Sequence, residues 1–264
     1  MICFAAITPH TPLLIPSVGK ENTDKLKTTV QTLTHLAQEL YASSPDTLVI
    51  LSSHATQHEK AFSLNLHDEY QIDLKDFGDL TTHRTLKTDL ELSTTIGRIM
   101  EEHQIPFTLD SNVFLDYGTG VPTYLLTQHL PRIHVVPVTF SRLSRKDHVR
   151  FGTVLKEVFE NTTKRIAVIA SGDLSHCLSS DAPLGFRPEG QEYTDKLLEA
   201  IKGHSIASLL SMPEELVQKS EECLYQQLLI LLGIFEHKHI RPEILSYEAP
   251  FGVGYLVVQF HLSV

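Results

Sequence analysis

The sequence predicts an α/β fold: a single domain over residues 1–264, with a mixed, mostly parallel sheet flanked by helices. Three observations predict it. Short apolar runs alternate with longer segments of helical period, which is the pattern of strands joined by crossover helices. Two of the runs, residues 47–52 and 165–170, carry continuous apolar stretches (48–51 and 166–170) that end in small polar residues, as strands buried on both faces of a sheet do. Between the first strand and the last there is no Pro/Gly/Ser-rich linker, low-complexity tract or fixed-period repeat that would divide the chain.

Residues 1–8 read as the first strand. Residues 20–43 have helical spacing, with Leu26, Val30, Leu33, Leu36, Ala37 and Leu40 on one face. After the strand at 47–52, the alternating residues 61–66 suggest an edge strand, and residues 86–104 a helix. Asp116 to Thr119 form a turn before a short helix at 121–129. A strand at 133–140, a helix at 145–160 and the strand at 165–170 repeat the alternation. Residues 191–203 and 213–236 are helical, and 242–248 and 254–262 close the chain as strands.

The 264 residues are 42% hydrophobic, enough for a sizeable core. The net charge of -10 repels phosphate backbones and excludes nucleic acid as an expected partner. It also argues against a polybasic membrane anchor, and no apolar run is long enough to span a bilayer. The opening Met-Ile-Cys-Phe lacks a basic stretch and reads as a strand rather than a signal peptide. Cys3, Cys177 and Cys223 are odd in number and far apart, which fits a reduced, cytoplasmic protein without a zinc knuckle. The composition leaves room for a homo-oligomer.

Fifteen histidines are many for this length, and three of them follow predicted strands. His10 lies in a turn stiffened by Pro9 and Pro12; His54 follows Ser52-Ser53; His176 closes Ser171-Gly172-Asp173-Leu174-Ser175-His176. Sites in open α/β sheets form at the carboxyl ends of strands, so these turns are candidates for one site. The plainer reading of each is a loop histidine bonded to backbone. His58 is set aside because Gln57 and Glu59 look solvated. Asp173 is placed to orient His176, or to cap a helix. A two-histidine, one-carboxylate iron site would draw its third ligand from Glu221, Glu222 or Glu248. Nucleophilic chemistry is disfavoured: Cys177 and Cys223 adjoin His176 and Glu222 in sequence, and chain neighbours rarely face each other. Gly-x-Ser-x-Gly and phosphate-loop patterns are absent, and Gly252-Val253-Gly254 is too short for a dinucleotide fingerprint.

Taken together, Thr8-Pro9-His10-Thr11-Pro12, Ser52-Ser53-His54, Leu115-Asp116-Tyr117-Gly118-Thr119 and the 171–176 string resemble, in order, the LigB-type class III extradiol ring-cleavage dioxygenases. The closing string from Leu245 to Tyr255 is similar to a prokaryotic branch related to the Memo proteins. The resemblance covers nearly the whole chain. It implies a LigB/Memo-like fold and a non-haem Fe(II) site, with zinc or another divalent metal as alternatives. It implies His10 and His54 as metal ligands with Glu222 as the best match for the third. Cys223 is the counterpart of a Memo cysteine. His176 resembles the family's acid/base histidine, assisted by Asp173, and Tyr117 stands where many members have a histidine. The implied reaction joins a small catecholic substrate and dioxygen. The rival readings are a Memo-like metal-binding protein without ring cleavage, and a zinc hydrolase using the same ligands.

Overall fold

The computed structural model describes residues 1–262. Its strands are β1 (Ile2–Thr8), β2 (Thr47–Ser52), β3 (Phe62–Asn65), β4 (Glu69–Leu74), β5 (Asp79–Thr88), β6 (Phe107–Asp110), β7 (His134–Thr139), β8 (Ile166–Ser171), β9 (Ile240–Glu248) and β10 (Tyr255–Leu262). The helices are α1 (Pro16–Gly19), α2 (Lys27–Ala42), α3 (Leu90–Glu102), α4 (Tyr117–Leu126), α5 (Arg145–Glu160), α6 (Pro188–Lys202), α7 (Ile206–Leu210), α8 (Glu214–Lys219) and α9 (Tyr225–Ile234). All ten strands join one mixed sheet with the main order β4-β5-β7-β2-β8-β1-β10-β9. The centre, β7-β2-β8-β1, is parallel, and β10 and β9 add antiparallel strands beyond β1.

The apolar runs take the central places because they have two faces to bury. Every residue of β2 and β8 is buried. Alternate side chains feed two cores. Ala5, Ile7, Val49, Leu51, Val168 and Ala170 face α3, α5, α6 and α9. Phe4, Ala6, Leu48, Ile50, Ala167 and Ile169 face α2 and α4. Full burial of a large aliphatic side chain is worth about 1.5–3 kcal/mol, so moving either strand to an edge would forfeit several such terms. Among the described residues, no helix is long and apolar enough to cross a membrane.

Several local readings differ, among them the expected turn at 116–119, where α4 already begins at Tyr117. The segment at 61–66 is not an edge: β3 pairs with β6 on one side and β7 on the other, and its four residues are buried. Residues 86–88 finish β5, and the helix begins only after Asp89, whose carboxylate accepts from Leu92 N–H. The start of the 20–43 helix is a 3-10 segment over Lys20–Leu26. The single helix expected over 213–236 is two, α8 and α9, with a break between them that reshapes the site.

Candidate metal centre

The sheet order places the site. β8 lies between β2 and β1, and Thr8 pairs with Ser171 while Leu51 pairs with Ala170, so the three strands end at one level. The turns that leave them carry His10, His54 and the 171–176 string to one place. Gly172 N–H donates to Thr8 O, tying the β8 turn to β1. On the other side, Ser52 Oγ donates to Asp116 Oδ1, and Asp116 caps α4 by accepting from Thr119 N–H. Tyr117, the first residue of α4, is thereby set against His54, the rings stacked at 4.2 Å. A Cβ on Gly118 would stand 2.7 Å from Ser52 Oγ and 3.1 Å from His54 Cδ2, so this close approach requires glycine.

His10, His54 and Cys223 form the one group of metal-ligating type found among the described residues, with donor atoms all within 4.8 Å of one another. His10 Nε2 is 3.0 Å from His54 Nε2 and 3.3 Å from Cys223 Sγ. The tautomer of His10 follows from its other nitrogen. Ser171 Oγ donates its proton to Gly118 O, so it can only accept from His10 Nδ1–H, 3.0 Å away. That leaves a lone pair on His10 Nε2, aimed at His54 and Cys223. An imidazole anchored through one nitrogen by a polar side chain, with the other directed at further donors, is the usual arrangement of a metal ligand. Two imidazole nitrogens and a thiol at these spacings fit a divalent transition metal.

Electrostatics agree. Burial, then the neighbouring His54 and His176, pushes His10 well below its ordinary pKa; burial likewise lowers His54. Both are therefore neutral at physiological pH, the form that ligates. Burial raises the Cys223 thiol well above its usual range, and a bound cation would reverse that. Access is graded: His10 is buried, Cys223 half-buried, and His54 the most open of the three although Tyr117 covers one face of its ring.

Cys223 arrives through the break between α8 and α9. Glu221 takes a left-handed φ of 50°, and Cys223 N–H then pairs with Asp173 O at 3.2 Å while Asp173 N–H points at Cys223 Sγ at 3.3 Å. A Cβ on Gly172 would lie 2.6 Å from Leu224 Cα and 2.7 Å from Cys223 O, so glycine is what lets this segment press on β8.

Glu222 sits elsewhere. Its Oε2 accepts from Leu224 N–H at 2.7 Å, Tyr225 N–H at 2.6 Å and the Tyr193 hydroxyl at 3.1 Å, so it caps α9 instead of joining the histidines. Burial raises its carboxyl to about 7. Glu221 pairs with Arg187 at 2.7 Å, and Glu248 accepts from Thr29 N–H at 2.8 Å. None of the three glutamates belongs to the group.

His176 leaves β8 on the same turn as Asp173 and lies outside the three-donor group, and burial lowers its pKa. Its Nδ1–H donates to Glu221 O, which leaves Nε2 as an acceptor. Asp173 does not orient it. The Asp173 carboxylate accepts from His10 N–H at 3.1 Å, its Oδ2 is 3.9 Å from His10 Nε2, and burial raises it to about 7. The Tyr117 hydroxyl lies 2.9 Å from His54 Nε2 and 3.1 Å from Nδ1. Ser171 and the Glu221 carbonyl, which set the two tautomers, were not singled out from sequence. The signal for Ser171 was its place at the end of a buried strand, in the same string as Asp173 and His176.

A family model described as the catalytic LigB subunit of aromatic ring-opening dioxygenase matches residues 4–258. Protein CA_C1420 of Clostridium acetobutylicum is 31% identical over 262 residues, covering 96% of this chain and 56% of that protein. The chain thus spans about half the length of this curated relative. The crystal structure of uncharacterized protein JW3007 from Escherichia coli K12 has the same fold. Its TM-score is 0.66 at 17% identity, over 97% of this chain and 99% of that one.

Proposed function

Because this chain belongs to the family of the catalytic LigB subunit of aromatic ring-opening dioxygenases, we propose that it is a metal-dependent extradiol dioxygenase acting on a small catecholic substrate. The observation that carries the proposal is a three-donor group, His10, His54 and Cys223, with His176 outside it on the same β8 turn as Asp173, which bonds both His10 and Cys223. These three residues would hold the metal, Fe(II) in this reading. Bound there, a divalent ion supplies Lewis acidity and a meeting point for the diol and dioxygen.

The chain's own residues do the rest. Ser171 keeps the His10 Nε2 lone pair facing the donor group. His176, fixed through Nδ1 by Glu221 O, has Nε2 free to accept a proton from a diol hydroxyl and return it as the ring opens. Tyr117 offers a hydroxyl donor on the His54 side, and Asp173 holds the backbone of the His10 turn.

Cys223 itself favours a second reading. A sulfur in place of a carboxylate softens the site and suits zinc and other softer metals better than an oxygen-activating iron. That is the donor set of a Memo-like metal-binding protein without ring cleavage; a zinc hydrolase would use the same three residues.

The test is metal analysis of anaerobically purified protein, paired with oxygen uptake on simple catechols for the wild type and His176→Ala. Iron with diol-dependent oxygen uptake that His176→Ala abolishes supports the dioxygenase. Stoichiometric metal with no diol cleaved by either form moves the assignment to the second reading.

A further inference from the structure

The Tyr117 ring meets three others. It stacks on His54, centroids 4.2 Å apart, and makes edge contacts with His10 at 5.5 Å and Phe77 at 5.3 Å. Its hydroxyl is 2.9 Å from His54 Nε2 and 3.1 Å from Nδ1. An oxygen in the imidazole plane that close to both nitrogens would overlap the carbon between them. The hydroxyl therefore lies over the ring, off both lone pairs, and its place is set by ring packing rather than by a hydrogen bond to His54. With a metal bonded to His54 Nε2 at about 2 Å, that hydroxyl would stand no more than about 5 Å from it.

His10 and His54 are ligands in this reading; Phe77 is not. Its ring is 39% exposed, yet it is held firmly. Lys75–Phe77 form the tip of the β4–β5 hairpin, which Gly78 closes with a φ of 80°. Next to it, the buried Asp79 carboxylate accepts from Ser17 Oγ at 2.6 Å, Thr81 N–H at 2.8 Å and Thr82 N–H at 3.1 Å. Ser17 follows the turn that carries His10. On the other side, Gln71 N–H donates to Val113 O and Leu115 N–H to Gln71 O, which ties β4 to the segment entering α4. The tip is thus fixed to the chain on both the His10 and the Tyr117 side of the site. We propose that Phe77 is a positioning residue for Tyr117: its ring holds Tyr117 against His54, so that the hydroxyl stays beside the metal on the open side of the site. This rests on the metal reading given above. An aromatic contact of this geometry favours the stacked rotamer by up to about 10-fold.

The experiment uses the full chain with fluorotyrosine at its eight tyrosines, loaded anaerobically with Co(II). The unpaired electrons of Co(II) shift fluorine resonances steeply with distance. Tyr117→Phe identifies the Tyr117 resonance by deleting it, and in the wild type that resonance is strongly shifted. In Phe77→Ala it loses about half of the shift, as when a stacked rotamer favoured about 10:1 falls to about 1:1. The Co(II) dissociation constant stays that of the wild type, because the three donors keep their own contacts. Phe77→Leu, which keeps apolar bulk at the tip, gives a shift between the two. A Tyr117 shift that is the same in wild type, Phe77→Ala and Phe77→Leu overturns the role of Phe77 while the metal reading stands. A Tyr117 resonance that Co(II) leaves unmoved in the wild type overturns both.

Discussion

Replacing Gly172 with alanine tests how Cys223 is delivered. The added Cβ would sit 2.6 Å from Leu224 Cα, 2.7 Å from Cys223 O and 2.7 Å from Leu224 Cβ. Carbon–carbon contacts are most favourable at about 3.5–4.0 Å, so the 223–224 backbone must withdraw from β8 by about 0.8 Å or more. Two of the three contacts are main chain, which cannot rotate aside. Overpacking of this kind costs about 1–3 kcal/mol. At about 2–4 °C per kcal/mol for a chain near this size, the midpoint of thermal unfolding should fall by about 2–12 °C. The same movement carries the Cys223 sulfur, now 3.3 Å from His10 Nε2, by several times the roughly 0.2 Å that metal–ligand bonds tolerate. Gly172→Ala should therefore lose metal affinity as well as stability, read by competitive metal titration and by thermal unfolding without metal. A variant that binds metal like the wild type, with an unchanged midpoint, would refute the claim that the Gly172 contact positions Cys223.

Cys223→Ser should strip the metal whereas Glu222→Gln keeps it, measured by elemental analysis of the purified variants; the opposite pattern would return the third position to Glu222. Glu222→Ala removes the cap of α9 and should cost about 0.5–2 kcal/mol in denaturant unfolding, with metal content unchanged. Ser171→Ala leaves His10 Nδ1–H without its acceptor and should weaken metal binding about 10–100-fold, read by the same titration. The last concerns pH. Burial by itself would raise the Asp89 pKa, but hydrogen bonds from Lys164, Thr47 and Leu92 N–H outweigh it, so the net shift is downward. A carboxylate depressed in the folded state contributes stability above its unfolded pKa, about 3.9, and loses it as pH falls through the folded value. Unfolding midpoints from pH 7 to pH 2.5 should therefore drop more steeply below about pH 4 in the wild type than in Asp89→Asn; parallel curves would show that Asp89 contributes nothing of this kind.

Much of the molecule was legible in the sequence by itself, for reasons that operate over a few residues. Residues 47–52 and 165–170 are apolar enough at their centres to demand two buried faces, and the structure gives them neighbouring central strands, Thr47–Ser52 and Ile166–Ser171. Arg145–Glu160 was read to the residue because its start is chemically marked: Ser144 and Asp147 form a reciprocal capping box. His10 and His54 were visible as histidines leaving buried strands. The β4–β5 hairpin was not read: β4 alternates, with Tyr70, Ile72 and Leu74 buried, but β5 mixes Asp, Lys, His, Arg and Thr with only two apolar residues and carries no strand pattern. The third donor was not decided either. Across 213–236 the apolar spacing runs on with helical period, and Ser220-Glu221-Glu222-Cys223 contains no proline or glycine to announce a break. The break is imposed from outside: Asp173 pairs with Cys223 through both its N–H and its carbonyl, Gly172 leaves the space, and the Glu222 carboxylate is spent on the new helix end. On one continuous helix, Glu222 and Cys223 would differ only by a step of about 100° around the axis. Which of them meets the histidines depends on contacts between residues some fifty positions apart in the chain, and only the folded structure supplies those.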